Sequence, residues 1–181
     1  MTIPTGQPLQ EQLAVEICAA TKLVFSTMLS LDAQAGPSYF ESPGPGPIGG
    51  VSAMVGMVGA WTGAGSVSCD EATACKLASQ MLMCECTSID DDVLDAMGEI
   101  ANMVIGNIKN NLELTLGQMS LGIPTVTFGK DFATRSTLKE TWTLVPFICD
   151  GHRIFVQLVL TDSARITHRA SHSRVLVEAG G

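Results

Sequence analysis

The chain has 181 residues, of which 46% are hydrophobic and 15% charged, and a formal net charge of −8. That length holds one domain with a full core, and that composition excludes a disordered chain. The acidity argues against nucleic acid and against an anionic membrane surface, since both need clustered Lys and Arg.

No run approaches the ~18 continuous apolar residues of a membrane span. The first ten residues, MTIPTGQPLQ, have no basic region ahead of an apolar block, so no secretory signal is visible and a cytoplasmic protein is expected. The expected domain is a single one over residues 10–162, with 1–9 and 163–181 as flexible termini.

Residues 9–31, LQEQLAVEICAATKLVFSTMLSL, read as a helix. Leu13, Ile17, Ala20, Val24 and Met28 form its expected buried stripe. Residues 36–50, GPSYFESPGPGPIGG, hold four prolines and five glycines, which no helix or central strand survives. A long loop is expected there, with room for one short strand near Tyr39-Phe40. Residues 51–61, VSAMVGMVGAW, read as a buried strand, Thr62–Gly65 as a turn, and Ser66–Cys69 as a short partner strand. Asp70 then stands as the N-cap of a helix over 70–83, with Ala74, Leu77, Ala78, Met81 and Leu82 facing in.

The most informative stretch is Ser88–Pro124. Ser88 with Asp91 three residues on is a helix-start pattern. Val93, Leu94, Met97, Ile100, Ala101, Val104, Ile105, Ile108 and Leu112 recur at helical spacing and make one apolar face. The opposite face carries Asp91, Asp95, Gly98, Glu99, Asn102, Gly106 and Lys109. After the helix, Leu114–Leu121 and Thr125–Phe128 read as strand pieces and 129–140 as loop. Two β-rich runs, TWTLVPFIC and HRIFVQLVL, flank Asp150-Gly151, a strong short-range hairpin pattern. Pro146 pushes its strand toward a sheet edge or a bulge. Hairpin patterns outnumber crossover patterns, so the expected fold is α+β, with helices packed on a largely antiparallel β-sheet. Neither a dinucleotide fingerprint nor a phosphate loop is present.

Asp95, Glu99 and Asn102 stand at i, i+4 and i+7, within about 60° of one another on the helix. Two carboxylates can act as general acid and base or hold a metal. Further ligands at a suitable spacing are missing. An amide takes no proton, but it can hold a water or a developing charge in place. The same three residues also fit a solvated outer face. Gly98 and Gly106 share the stripe, and each costs about 1 kcal/mol against Ala in a helix interior. Something therefore packs closely there, either a neighbouring element or a partner. Six cysteines, none in a CxxC pair, read as reduced thiols rather than a metal site, and His168 and His172 in the polar tail are not read as ligands. Trp61 and Trp142 read as packing residues.

Asp-x3-Glu-x2-Asn in a glycine-containing helix, followed about twenty residues on by Ile-Pro-Thr, resembles the CheC/CheX/FliY family of chemotaxis phosphatases. DAMGEIANMVIGNIKNNL and IPTVTFG are most similar to the CheX branch, and the upstream VSAMVGMVGAWTGAGSVSC resembles that family's strand pair. The resemblance covers roughly residues 10–160. It implies hydrolysis of the phospho-aspartate of a CheY-like response-regulator receiver. Glu99 would pair with the conserved lysine of the receiver and Asn102 would orient the attacking water. Asp95, Gly98, Gly106 and Pro124 would support the site or touch the partner, the glycines letting the helix lie close to the receiver. Mg2+ would come with the receiver, so no cofactor or metal of its own is expected. CheX-like members form homodimers through their sheets, which implies a dimer here. Members of the CheC kind carry a second motif on the first helix. The equivalent slot here is Gln12, Glu16 and Ala19, which lacks the asparagine, so a second active site is not expected. The competing function is a non-catalytic module of the same fold that binds a receiver or a flagellar-switch component.

Overall fold

The computed structural model describes residues 7–41, 48–132 and 140–166. Helix starts are set by carboxylates in cap positions. Asp70 accepts a hydrogen bond of 2.8 Å from the Thr73 amide and opens α2 (Glu71–Leu82). The Thr73 side chain and, with it, the Thr73 amide hold the Asp70 carboxyl below the usual carboxylate range. Asp90 accepts one of 3.0 Å from the Val93 amide and opens α3 (Asp91–Leu116). The cap of α3 is thus Asp90 rather than the expected Ser88. A carboxylate three residues before Val93 meets the free amides of the first turn, with Asp91 and Asp92 adding favourable charge there. The first helix, α1, runs Gln7–Met28.

Among the described residues, eight antiparallel strands form one sheet: β1 (Gln34–Ala35), β2 (Tyr39–Glu41), β3 (Ile48–Gly59), β4 (Trp61–Cys69), β5 (Met119–Leu121), β6 (Thr125–Phe132), β7 (Trp142–Cys149) and β8 (His152–Asp162). The α+β architecture expected from the hairpin patterns is the one observed. Asp150 and Gly151 have φ of 48° and 79°. Two successive left-handed residues make the tight turn whose twist suits a two-residue hairpin, and β7 pairs with β8 from Thr143↔Leu158 to Cys149↔His152.

The sheet has an internal two-fold look that bears on the site. Hairpins β3–β4 and β7–β8 lie side by side, joined through β4 and β8. Each outer strand carries an edge made of two short pieces: β5 and β6 on β3, β1 and β2 on β7. At each break a glycine amide donates 2.8 Å across to the outer strand, Gly122 to the Gly56 carbonyl and Gly36 to the Pro146 carbonyl. Pro146, with no amide hydrogen, falls at the break between β1 and β2, as an edge or bulge reading requires. A long helix covers each half, α3 over β3 and β4, and α1 over β7 and β8.

The core lies between the helices and one face of the sheet. It joins Leu13, Ile17, Val24 and Phe25 of α1 and Met97, Ile100, Val104 and Ile108 of α3 to Val51, Val55, Val67, Val145, Val156 and Leu158 of the strands. Trp61 is buried in that core, and Trp142 is buried in a second cluster with Leu144 and Val159 on the other face. All six cysteines are free, and Cys84 is exposed.

Several expectations are corrected. Met28 and Leu82 are exposed rather than inward, and Phe25 takes the buried place expected of Met28. Residues 34–35 pair as β1, β2 is the short strand near Tyr39, and β3 starts at Ile48 inside the expected loop. The turn after β3 is at Gly59-Ala60, and Thr62–Gly65 lies within β4. Gly65 is there for space rather than for turning. A Cβ on it would run into the Ile105 side chain of α3 and stand 3.1 Å from Leu158 Cδ1. Gly65→Val is expected to lower stability by about 1–3 kcal/mol through overpacking, read as a lower denaturant midpoint with an unchanged slope. Leu114–Leu116 continue α3 instead of starting a strand, because Leu112 and Leu116 at i and i+4 both reach the core. Residues 129–132 extend β6. Of the expected flexible termini, 1–9 and 163–181, residues 7–9 instead open α1, with Leu9 buried in the core, and 163–166 are helical. Residues 1–6 and 167–181, with His168 and His172, lie outside the described residues, as do 42–47 and 133–139 of the expected loops. Among the described residues no helix is long and apolar enough to cross a membrane.

Candidate active site

Helix α3 holds the expected constellation on its outer side. Its apolar face is buried from Val93 to Leu112, with Leu94 at its margin half-buried, and this fixes the rotation of the helix on the sheet. Asp95 and Glu99 are left exposed and Asn102 half-buried. Glu99 and Asn102 are three residues apart, so their Cβ atoms stand about 5–6 Å from one another on the surface. Among the described residues, no hydrogen bond or ion pair engages the side chains of Asp95, Glu99 or Asn102.

The polar residues farther along the same helix behave differently. Asn107 donates 2.9 Å to the Met103 carbonyl. Asn111 donates 2.8 Å to Glu16 of α1. Lys109 pairs with Glu113 at 3.0 Å and donates to the Met119 carbonyl at 3.3 Å. Glu113 accepts 2.7 Å from the Met119 amide. This bond, with Lys109 beside it, holds the Glu113 carboxyl below its usual range. Apart from the exposed Asn110, the second half of α3 thus spends its polar groups on the chain itself. Among the described residues Asp95, Glu99 and Asn102 in the first half stay open, as do Asp91 and Asp92 of the first turn.

The glycines of the stripe serve the fold. Gly98 is buried, and a Cβ there would sit 3.3 Å from Val126 Cγ2 and 3.7 Å from Pro124 Cβ. A Cβ at Gly106 would sit 3.6 Å from Leu121 Cδ1. The close approach that Gly98 allows is to β6, the neighbouring-element alternative, while a Cβ at Gly106 would make only ordinary contact with β5. The same contacts bring Pro124 against the helix one residue from Glu99.

The slot on α1 is closed by comparison. Glu16 is held by Asn111, and Gln12 donates 3.2 Å to Thr115 of α3. Ala19 is exposed and offers no polar group. Sequence reasoning did not foresee that Glu16 and Gln12 tie the two long helices together. Their partners, Asn111 and Thr115, lie outside the motif. Among the described residues, no group of three or more His, Cys, Asp or Glu side chains comes together to hold a metal ion.

The family model described as chemotaxis phosphatase CheX matches residues 51–147, from β3 through most of β7. No curated protein sequence matches the chain. Among solved structures, CheX from Vibrio vulnificus is 26% identical with a TM-score of 0.74, over 83% of this chain and 99% of that one. CheX from Desulfovibrio desulfuricans is 26% identical with a TM-score of 0.75, again over 83% and 99%. CheX from Borrelia burgdorferi, solved with CheY, BeF3 and Mg2+, is 24% identical with a TM-score of 0.70, over 82% and 97%. At that last identity the likeness is one of fold. With more than half of its length matched by the family model, the chain belongs to the CheX family of chemotaxis phosphatases.

Proposed function

We propose that this chain hydrolyses the phospho-aspartate of a CheY-like receiver domain, with Asn102 positioning the attacking water and Glu99 pairing with the receiver's lysine. The observation that carries this reading is the contrast along α3. Glu99 and Asn102 share one outer face with their functional groups unengaged among the described residues, whereas Asn107, Lys109, Asn111 and Glu113 are all bound within the chain. Membership of the CheX family supports it, as does the existence of a CheX–CheY complex with the same fold.

The chemistry fits those two side chains. Water oxygen attacks phosphorus while the bond from phosphorus to the aspartyl oxygen breaks. The products are the free aspartate carboxylate and inorganic phosphate, and the water proton passes to phosphate or solvent. Such transfer needs positioning and charge stabilisation more than covalent participation. The Asn102 carboxamide oxygen accepts a hydrogen bond from the water and turns a lone pair toward phosphorus, and its NH2 can donate to a phosphoryl oxygen. The Glu99 carboxylate meets the receiver's ammonium group and so fixes the distance between helix and acyl phosphate. The divalent cation belongs to the receiver, so the phosphatase chain supplies no metal ligand and no cofactor. Asp95, one turn before Glu99, adds acid to the same face and steers the helix toward the lysine. The chain acts in the cytoplasm, where receivers are phosphorylated, and as a homodimer joined through its sheets.

The test is the decay of phospho-receiver with and without the full chain, across the receivers of the source organism. Faster decay of at least one receiver is expected. Binding of a phosphorylated receiver without phosphate release would instead favour the non-catalytic module.

A further inference from the structure

Helix α3 and the β5–β6 edge run antiparallel, side by side. Gly98 meets Pro124 and Val126, and Gly106 meets Leu121. Asn102 is midway between the two glycines on the same line, so Gly122-Ile123 passes alongside it. Ile123 is 90% exposed, an unusual state for a large apolar side chain in a short connection pinned by the Gly122–Gly56 hydrogen bond of 2.8 Å. At the other end, Val126 opposes Ala53 and Phe128 opposes Val51, which places both on the helix side of the sheet. Two strand residues cover about 6.6 Å and four helix residues about 6 Å. Phe128 is therefore level with Leu94 and Asp95, and it is 45% exposed. The polar stripe is thus flanked by an apolar rail whose two ends, Ile123 and Phe128, stand open.

We infer that Ile123 and Phe128 are the apolar part of the docking surface for the receiver. This inference rests on the phosphatase reading and adds to it a second kind of contact beside the Glu99 ion pair. The occupant is the receiver because the rail is continuous with the stripe that would enter its phosphorylation site. Any protein surface brought to Asn102 covers Ile123 as well. The apolar rail borders the polar stripe and is covered as the receiver docks, so it adds affinity rather than rate. The matching receiver surface is an apolar patch bordering its phospho-aspartate.

The test uses the full chain with Ile123→Ser, Phe128→Ser and, as a control, Leu114→Ser. Leu114 is 85% exposed and lies at the far end of α3. Thermal melting checks that each variant is folded. Two quantities are read: KM and kcat on phospho-receiver, and Kd for a receiver activated with beryllofluoride and Mg2+. Ile123→Ser and Phe128→Ser are each expected to raise KM and Kd about tenfold or more with kcat unchanged, as loss of a large apolar contact covered on docking requires, and wild-type values in Phe128→Ser would remove that residue from the surface. Leu114→Ser is expected to change neither. Wild-type KM and Kd in Ile123→Ser would overturn the inference, as would a fall in kcat alone. If the wild-type chain binds the activated receiver without hydrolysing phospho-receiver, the phosphatase reading fails and Kd still decides the role of Ile123. A wild-type chain that binds no activated receiver overturns both.

Discussion

Asn102→Ala is expected to slow receiver dephosphorylation at saturation by about 100-fold or more while leaving the affinity for the receiver near wild type. The magnitude follows from what the amide does. Losing one preorganised hydrogen-bonding group at a reacting centre costs about two to three orders of magnitude, and a misplacement of about 1 Å costs about two. Asn102→Gln should therefore lose nearly as much, since its amide is displaced by one methylene. Neither change disturbs the fold, because Asn102 is half-buried and its side chain makes no hydrogen bond among the described residues. Single-turnover decay of phospho-receiver measures the rate, and binding to the beryllofluoride-activated receiver measures the affinity.

Glu99→Lys should act on the other parameter. It is expected to lower kcat/KM by about 100-fold or more, chiefly through KM. Removing one partner of a close, hydrogen-bonded charge pair in an interface costs about 2–5 kcal/mol, and reversal adds repulsion from the receiver's ammonium. Glu99 is exposed on the free helix, so the substitution is benign to stability. Docking of the wild-type chain should also weaken as ionic strength rises, because the approach of an exposed carboxylate to a lysine is screened by salt. A Glu99→Lys variant with wild-type KM would remove the ion pair from the account.

The helix that carries both residues was readable in the sequence because one signal set it. Apolar positions at 3.6-residue spacing fix which side of α3 is buried, and the polar stripe follows from that rotation. The β7–β8 hairpin was readable for a similar reason, since Asp150-Gly151 admits few other conformations. Glycine misled where it served packing. Thr62–Gly65 looks like a turn by composition, yet Gly65 lies in a strand because Ile105 needs the room above it. Gly98 lies on the outward stripe by spacing, yet a Cβ there would crowd Val126 of β6. A single sequence marks the absence of a side chain, and only the fold says which neighbour occupies the gap. Strand β1 escapes because two residues carry no periodicity, whereas β5 falls inside the expected Leu114–Leu121 strand, whose first residues belong to α3 instead. The placement of the exposed Ile123 and Phe128 is equally hidden, because only the fold lays the β5–β6 edge against Gly98 and Gly106 of α3.

The contrast between α1 and α3 explains why the two halves of a nearly symmetric sheet differ in what they present. Both halves have a long helix, a two-piece edge and a glycine amide bonded across the break. On α1 the glutamate is drawn into a hydrogen bond with Asn111, and the position three residues on is Ala19. On α3 the glutamate has no hydrogen bond or ion pair among the described residues, and the position three residues on is Asn102. The first face joins helices, and the second is open to a partner.

The central claim, that Asn102 positions the hydrolytic water, is tested most directly by following phosphate release from a pre-phosphorylated receiver under single-turnover conditions, with wild-type and Asn102→Ala chains side by side at saturating concentration. The account predicts rapid release with the wild-type chain and release close to the receiver's own rate with Asn102→Ala, although that variant still binds. Equal release with both chains would contradict it.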